Sequence, residues 1–276
     1  MMTDRSLKIL IVGTGRLAKV LAKASNLVSS QDEIAIFGRN TAERDAIIAD
    51  NQSLIREDAA FISRSDLVVM AVSPQAYRPV LMSLAAQLPP AAIVVSVTNA
   101  IAVGEIGTWT RNPVVKVIPT IAQIVRRGVT PVIAGPRTTP DHTQVVMEWL
   151  RRFSLPIEIG ENDSRVASNV AGSAVAAVAC FARAFAAANA RRAYGLDQQT
   201  LEAMMAETLA AVGDLARGGV DFEQAIESTA TPGGVTEAAL APLVHAIDDL
   251  CEKMVAESFR RQTQLQTASA GVEDNA

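Results

Sequence analysis

The chain has 276 residues, of which 49% are apolar and 20% charged, with a formal net charge of −4. That balance excludes a disordered chain and a basic nucleic-acid-binding surface, and the length suits one large core or two domains. Cys180, Cys251, His142 and His245 are the whole stock of their types and no C-x-x-C occurs, which excludes a disulfide framework and leaves no metal site to expect.

The N-terminal stretch MMTDRSLKILIVG has too short an apolar run and no small-residue cleavage site for a secretory signal, so a cytoplasmic protein is expected. Short β-branched runs at Lys8–Val12, Glu33–Phe37, Leu67–Val72 and Ile93–Val97 alternate with segments long enough for helices, the signature of βαβ units and a mostly parallel sheet. Further runs at Val114–Ile118, Thr130–Ala134 and Ile157–Gly160 extend the sheet to about seven strands. The expected first domain is an α/β dinucleotide-binding domain over residues 1–160. From Arg165 onward strand-like runs cease, and helices are expected over 165–194, 198–218, 221–228 and 235–264. This second domain, residues 161–276, reads as all-helical with a loose tail, TASAGVEDNA. Its alanine-rich segment Val170–Ala193 is interrupted by Arg183 and Asn189 and is expected to be a buried helix, not a membrane span. Apolar residues lie on nearly every side of it, so a second copy of the chain is the expected cover and a homodimer the expected assembly.

ILIVGTGRLA places Gly13, Gly15 and Ala18 in a G-x-G-x-x-A arrangement between the first strand and the first helix. The first glycine permits the tight turn, the second lets backbone approach a pyrophosphate, and the small third residue lets helix and strand pack closely. Thr14, Arg16 and Leu17 complete the loop that would hold the dinucleotide at the helix N-terminus. The second strand ends in Gly38, Arg39, Asn40 and Thr41 and lacks the terminal acid expected for a ribose hydroxyl, so Arg39 and Asn40 favour the 2′-phosphate of NADP(H). Val72, Ser73 and Pro74, where the next strand ends, are expected to wall the ribose and diphosphate. The other departure from background is TATPGGVTEAAL, Thr229 to Leu240, which breaks a helical region with Pro232 and two glycines and restarts a helix with Thr236 and Glu237 in its first turn. Free amides and a hydroxyl there suit a carboxylate; they equally suit a plain helix connection capped by threonine.

Taken together, IVGTGRLA at the start, VKVIPT after the fifth strand, GS opening the helical region and TPGGVTEA near the end resemble the pyrroline-5-carboxylate reductase family, in order and over nearly the whole chain. The resemblance implies a Rossmann domain, a helical dimerisation domain, and reduction of a cyclic imine to proline by NADPH. It implies that Thr236 hydrogen-bonds the imine nitrogen, that backbone at Gly233, Gly234 and Val235 holds the carboxylate, and that Gly172 and Ser173 line the substrate site. Three segments depart from the family pattern: VSPQ has Ser73 where a lysine is usual, IPTIA has Thr120 where an asparagine is usual, and AGSAVAA keeps Gly172 and Ser173 but loses the following Gly-Pro pair and tyrosine. Thr120 remains an expected cofactor contact. These departures bear on substrate more than on fold, so a different imine, a keto acid or a deazaflavin is a rival substrate, and a catalytically idle NADPH-binding protein is a rival of another kind.

Overall fold

The computed structural model describes residues 6–26, 32–51, 54–56 and 59–270. By contacts the chain divides into two compact units, Met1–Ser173 together with Arg260–Ala276, and Ala174–Phe259.

The first unit is built on an eight-stranded sheet in the order β3-β2-β1-β4-β5-β6-β7-β8. Its strands are β1 (Lys8–Val12), β2 (Glu33–Phe37), β3 (Leu54–Arg56), β4 (Leu67–Met70), β5 (Ile93–Ser96), β6 (Val114–Val117), β7 (Val129–Ala134) and β8 (Leu155–Glu158). All neighbours run parallel except β6 and β7. The helices between them are α1 (Arg16–Asn26), α2 (Thr41–Asp50), α3 (Ala59–Ile62), α4 (Pro74–Ala85), α5 (Val103–Thr108) and α6 (Pro140–Arg151). Strands β4, β5 and β6 are buried throughout because helices cover both faces of the sheet, which is why they read as continuous apolar runs. Alternate residues serve opposite cores: Ile9, Ile11, Val69 and Val95 pack with Trp149 on one side, and Leu10, Val12, Val68 and Val94 pack with Tyr77 on the other. Reversal of strand order between β1 and β4 opens a crevice at their carboxyl ends, the usual ligand position in such sheets.

One strand more is present than the seven expected, the three-residue edge strand β3. The last strand lies two residues earlier than the expected Ile157–Gly160, because pairing with β7 starts at Val129↔Leu155 and ends at Val132↔Glu158. The first expected long helix is divided into α7 (Ser164–Ser168), a π-helical turn at Asn169–Ser173, and α8 (Ala174–Ala190).

The second unit holds α8, α9 (Gln198–Arg217), α10 (Phe222–Thr229) and the first part of α11 (Val235–Ala270). Asp197 caps α9 by accepting from the Thr200 N–H at 2.8 Å, and Asp221 and Gln224 close a reciprocal capping box on α10. Within a single chain α8 is not the buried helix expected: Ala186 is its one buried residue, while Val178, Phe181 and Phe185 are exposed and the two phenyl rings stack at 5.7 Å. The uniform apolarity that suggested burial marks a face this chain alone does not cover. By length and hydropathy Glu161–Ala190 would also suffice to cross a membrane. The tail expected to be loose from Thr267 is helical to Ala270, and its last six residues lie outside the described ones.

Candidate functional site

At the β1/β4 crevice a cleft of about 510 Å³ is lined by Gly13, Thr14, Gly15, Arg39, Asn40, Val72 and Ser73, together with Phe37 and Ala76. Seven residues predicted from sequence therefore meet in one place. Gly13 is fixed there by backbone geometry: its φ is +124°, its N–H donates to the Phe37 carbonyl at 2.8 Å, and a Cβ would lie 2.4 Å from the Ala71 carbonyl oxygen. Gly15 faces open space, with nothing within 4 Å of an added Cβ, as expected of backbone left bare for a ligand. Ala18 is fully buried and supplies the close helix–strand contact. Ser73 stands at the N-cap of α4 with its hydroxyl making no capping bond, and Pro74 is the first residue of that helix. Arg39 is exposed and, among the described residues, makes no ion pair. Asn40 caps α2 by accepting from the Glu43 N–H at 3.2 Å, and Glu43 in turn accepts from the Thr14 hydroxyl at 2.8 Å. Sequence reading passed over this carboxylate, which ties the glycine loop to α2.

The remaining predicted residues of this unit lie outside that cleft. Arg16 is exposed at the start of α1 and Leu17 packs against the core. Thr120 is buried beyond the end of β6, where its oxygen caps the short 3₁₀ turn Ile121–Val125 by accepting from the Ala122 N–H at 3.2 Å. A Cβ on Gly172 would lie 3.9 Å from the Thr120 methyl, so the structure does bring these two together. Ser173 is exposed at the end of the π turn, a distortion that recurs at functional sites.

The segment that carries Gly172 is fastened by a residue the sequence did not single out. Lys116 on β6 is fully buried, and its Nζ meets Glu161 Oε1 at 2.5 Å, while Glu161 Oε2 accepts from the Val103 N–H at 3.3 Å. Burial depresses the Lys116 pKa, and the hydrogen bond and charge of Glu161, with a further contribution from Glu105, offset that only in part. Glu161→Gln therefore strands a buried ammonium and should cost about 3 kcal/mol of stability near neutral pH. The sign of the pH dependence follows from the depressed pKa: between its native and ordinary values Lys116 binds more protons unfolded than folded, so stability rises with pH there. Denaturant midpoints should show the Glu161→Gln deficit shrinking as pH approaches the ordinary lysine pKa. A deficit independent of pH would mean that the lost Val103 contact dominates.

In the second unit, Thr231 to Gly234 form a type II turn: Gly234 N–H donates to the Thr231 carbonyl at 2.9 Å, Pro232 takes the second position, and Gly233 has φ +73°. Val235 and Thr236 follow as the first two residues of α11, Val235 exposed and Thr236 half-buried. The Gly233 N–H is already committed, donating to Glu237 Oε2 at 2.8 Å.

Residues 161–265 match the family model described as pyrroline-5-carboxylate reductase dimerisation, and residues 8–100 match NADP oxidoreductase coenzyme F420-dependent. The pyrroline-5-carboxylate reductase of Pseudomonas aeruginosa is 22% identical over 94% of this chain and 96% of its own length, and pyrroline-5-carboxylate reductase 2 of Bacillus subtilis is 22% identical over 96% and 97%. Among solved structures, a pyrroline-5-carboxylate reductase from Coxiella burnetii superposes with a TM-score of 0.81 at 20% identity, covering 95% of this chain and 99% of that one. The Plasmodium falciparum pyrroline carboxylate reductase with NADP bound gives 0.79 at 17% identity, over 98% and 99%. A doubly wound dinucleotide-binding sheet together with a helical region that matches a dimerisation model thus defines an oxidoreductase of the Rossmann class. Its two matched regions and its full-length relatives narrow the likeness: over nearly its whole length the chain is similar, at 22% identity, to pyrroline-5-carboxylate reductases, and its residues 161–265 match the dimerisation model of that family.

Proposed function

We propose that the protein is an NADPH-dependent reductase of a cyclic imino acid, converting 1-pyrroline-5-carboxylate to proline, and that it works in the cytoplasm as a homodimer. The observation that carries this reading is the β1/β4 cleft, where bare glycine backbone adjoins an exposed arginine that makes no ion pair among the described residues. Gly13 and Gly15 leave room for a diphosphate beside the α1 N-terminus, and Arg39 and Asn40 suit a 2′-phosphate, so the residues present fit NADP(H). When bound, that cofactor supplies hydride. We take residues 1–160 as the dinucleotide-binding domain and 161–276 as the dimerisation and substrate domain.

The remaining chemistry asks little of acids and bases. A cyclic imine protonates readily near neutral pH, so the chain has to orient it, hold its carboxylate and exclude water. Thr236 hydrogen-bonds the ring nitrogen, and the backbone at Gly233, Gly234 and Val235 holds the substrate carboxylate. The substrate carboxylate takes the place of Glu237 at the Gly233 N–H, an exchange of like for like. A second copy covers the exposed apolar side chains of α8, which include Phe181 and Phe185.

Mixing the purified protein with NADPH and pyrroline-5-carboxylate should consume NADPH at an enzymatic rate of about 1–10³ s⁻¹. NADPH binding without turnover on any cyclic imine would instead support an idle nucleotide-binding protein. Arg39→Ala should weaken NADPH by about tenfold, the worth of one charge-assisted hydrogen bond, and leave NADH unchanged. Equal losses for both would remove Arg39 from recognition of the 2′-phosphate.

A further inference from the structure

The glycine loop and the turn between β2 and α2 are locked together by one side chain. Thr14, the residue between the two loop glycines, lays its methyl against Gly38, where an added Cβ would lie 2.5 Å from it, and donates its hydroxyl to Glu43 Oε2 at 2.8 Å. The Gly13 N–H reaches the same turn through the Phe37 carbonyl at 2.8 Å. Thr14, Gly38, Arg39 and Asn40 all line the β1/β4 cleft, so the loop that suits a diphosphate and the turn that carries the cation are held as one piece.

Glu43 brings to this piece a charge that the strand end lacks. None of the cleft's lining residues is an acid, and β2 ends in Phe37 with Gly38 and Arg39 after it. The carboxylate comes instead from the first turn of α2, where the Glu43 N–H donates to the Asn40 side chain at 3.2 Å. Arg39 directly precedes that cap, so a cation and a carboxylate flank one turn, yet they form no ion pair among the described residues. Glu43 Oε2 is engaged by a neutral hydroxyl, which leaves the negative charge uncancelled. A 2′-phosphate drawn to Arg39 carries a charge of about −1.5 to −2, so it is attracted by the guanidinium and repelled by the carboxylate, both exposed and screened by salt. A neutral 2′-hydroxyl is subject to neither force.

We infer that Glu43 sets cofactor choice from the edge of the cleft: its charge opposes the 2′-phosphate that Arg39 attracts, and its bond to Thr14 holds the glycine loop for either dinucleotide. Specificity is a difference of affinities, and a group that repels the added charge shapes it as much as one that attracts it. The inference rests on the proposed reading of the cleft as the NADP(H) site and adds to it a residue that limits the preference for the phosphorylated form.

NADP⁺ and NAD⁺ are titrated calorimetrically into the native protein, Glu43→Gln and Thr14→Val at low and high salt, with thermal melts of the unliganded proteins alongside. Glutamine keeps an oxygen that accepts from Thr14, so Glu43→Gln removes the charge alone. Valine keeps the shape of threonine, so Thr14→Val removes the bond alone. Glu43→Gln should raise the affinity for NADP⁺ relative to NAD⁺ by about three- to tenfold, the size of a solvent-screened interaction between exposed charges, and added salt should narrow that gain. Thr14→Val should weaken both dinucleotides by one common factor of about five, the worth of a neutral hydrogen bond, and leave their ratio native. A native ratio in Glu43→Gln overturns the inference, as does a ratio that moves towards NAD⁺ or a gain indifferent to salt. Equal losses of both dinucleotides in Glu43→Gln, with a lowered melt, would make the carboxylate a structural latch alone and overturn it too. Because binding is read without turnover, failure to reduce any imine would count against the reductase reading only, whereas a native protein that binds neither dinucleotide would overturn both.

Discussion

Replacing Thr236 by valine should lower kcat/KM for pyrroline-5-carboxylate by about 10²–10³-fold, the loss expected when one preorganised donor to the reacting group is removed. Valine keeps the shape and β-branching of threonine, so the deletion is confined to the hydroxyl. The type II turn before it does not use that hydroxyl: Gly234 donates to the Thr231 carbonyl, and Gly233 donates to Glu237. Helix α11 should therefore start at the same residue, thermal stability should be unchanged, and NADPH should bind as before. Thr236→Ser should recover most of the rate. If Thr236→Val turns over at the native rate, the hydroxyl takes no part in the chemistry and the substrate nitrogen must find its partner elsewhere.

The order of the elements was legible because burial in a parallel sheet writes itself as short apolar runs, and β1, β2, β4, β5, β6 and β7 each carry one. Where pairing, not burial, makes the strand, the signal fails. Edge strand β3 has three residues and no run to announce it. In β8 the pattern is inverted, since Leu155 and Ile157 are exposed and Pro156 is buried, so the strand that pairs with β7 is displaced from the one that hydropathy suggests. Proline is tolerated there because β8 is an edge strand.

The glycine loop was legible for a different reason. Its residue types are dictated by backbone conformation and by space, both of which are local, and its strand-to-helix setting is visible in the same ten residues. The fastening of residues 161–173 was not legible, because it depends on Lys116 meeting a glutamate 45 positions away. A lysine between valines reads as an interruption until its partner is known. The π turn at Asn169–Ser173 was hidden as well, since a shift in hydrogen-bond register leaves no mark on composition and the surrounding alanines suit any helix.

Glycine to alanine at Gly13 and at Gly15 should give opposite phenotypes, although the substitution is chemically the same. At Gly13 the new methyl lies 2.4 Å from the Ala71 carbonyl oxygen, a backbone atom held in the sheet by the Ala71 N–H bond to the Val12 carbonyl, and φ is +124°. Neither strain nor overlap can relax without moving β1 against β4, and each costs about 1–3 kcal/mol. Gly13→Ala should therefore lower the unfolding midpoint and weaken NADPH by about 100-fold or more, because the cleft is built from the same backbone. At Gly15 the methyl meets nothing within 4 Å and φ is not positive, so Gly15→Ala should fold with native stability and lose only affinity, its methyl standing where the diphosphate approaches. Calorimetric NADPH titration alongside thermal melts reads both. Native affinity in Gly15→Ala would move the diphosphate away from this loop and remove the cleft from the proposed mechanism, whereas a native melt in Gly13→Ala would mean that the β1/β4 junction yields more readily than its hydrogen bonds imply.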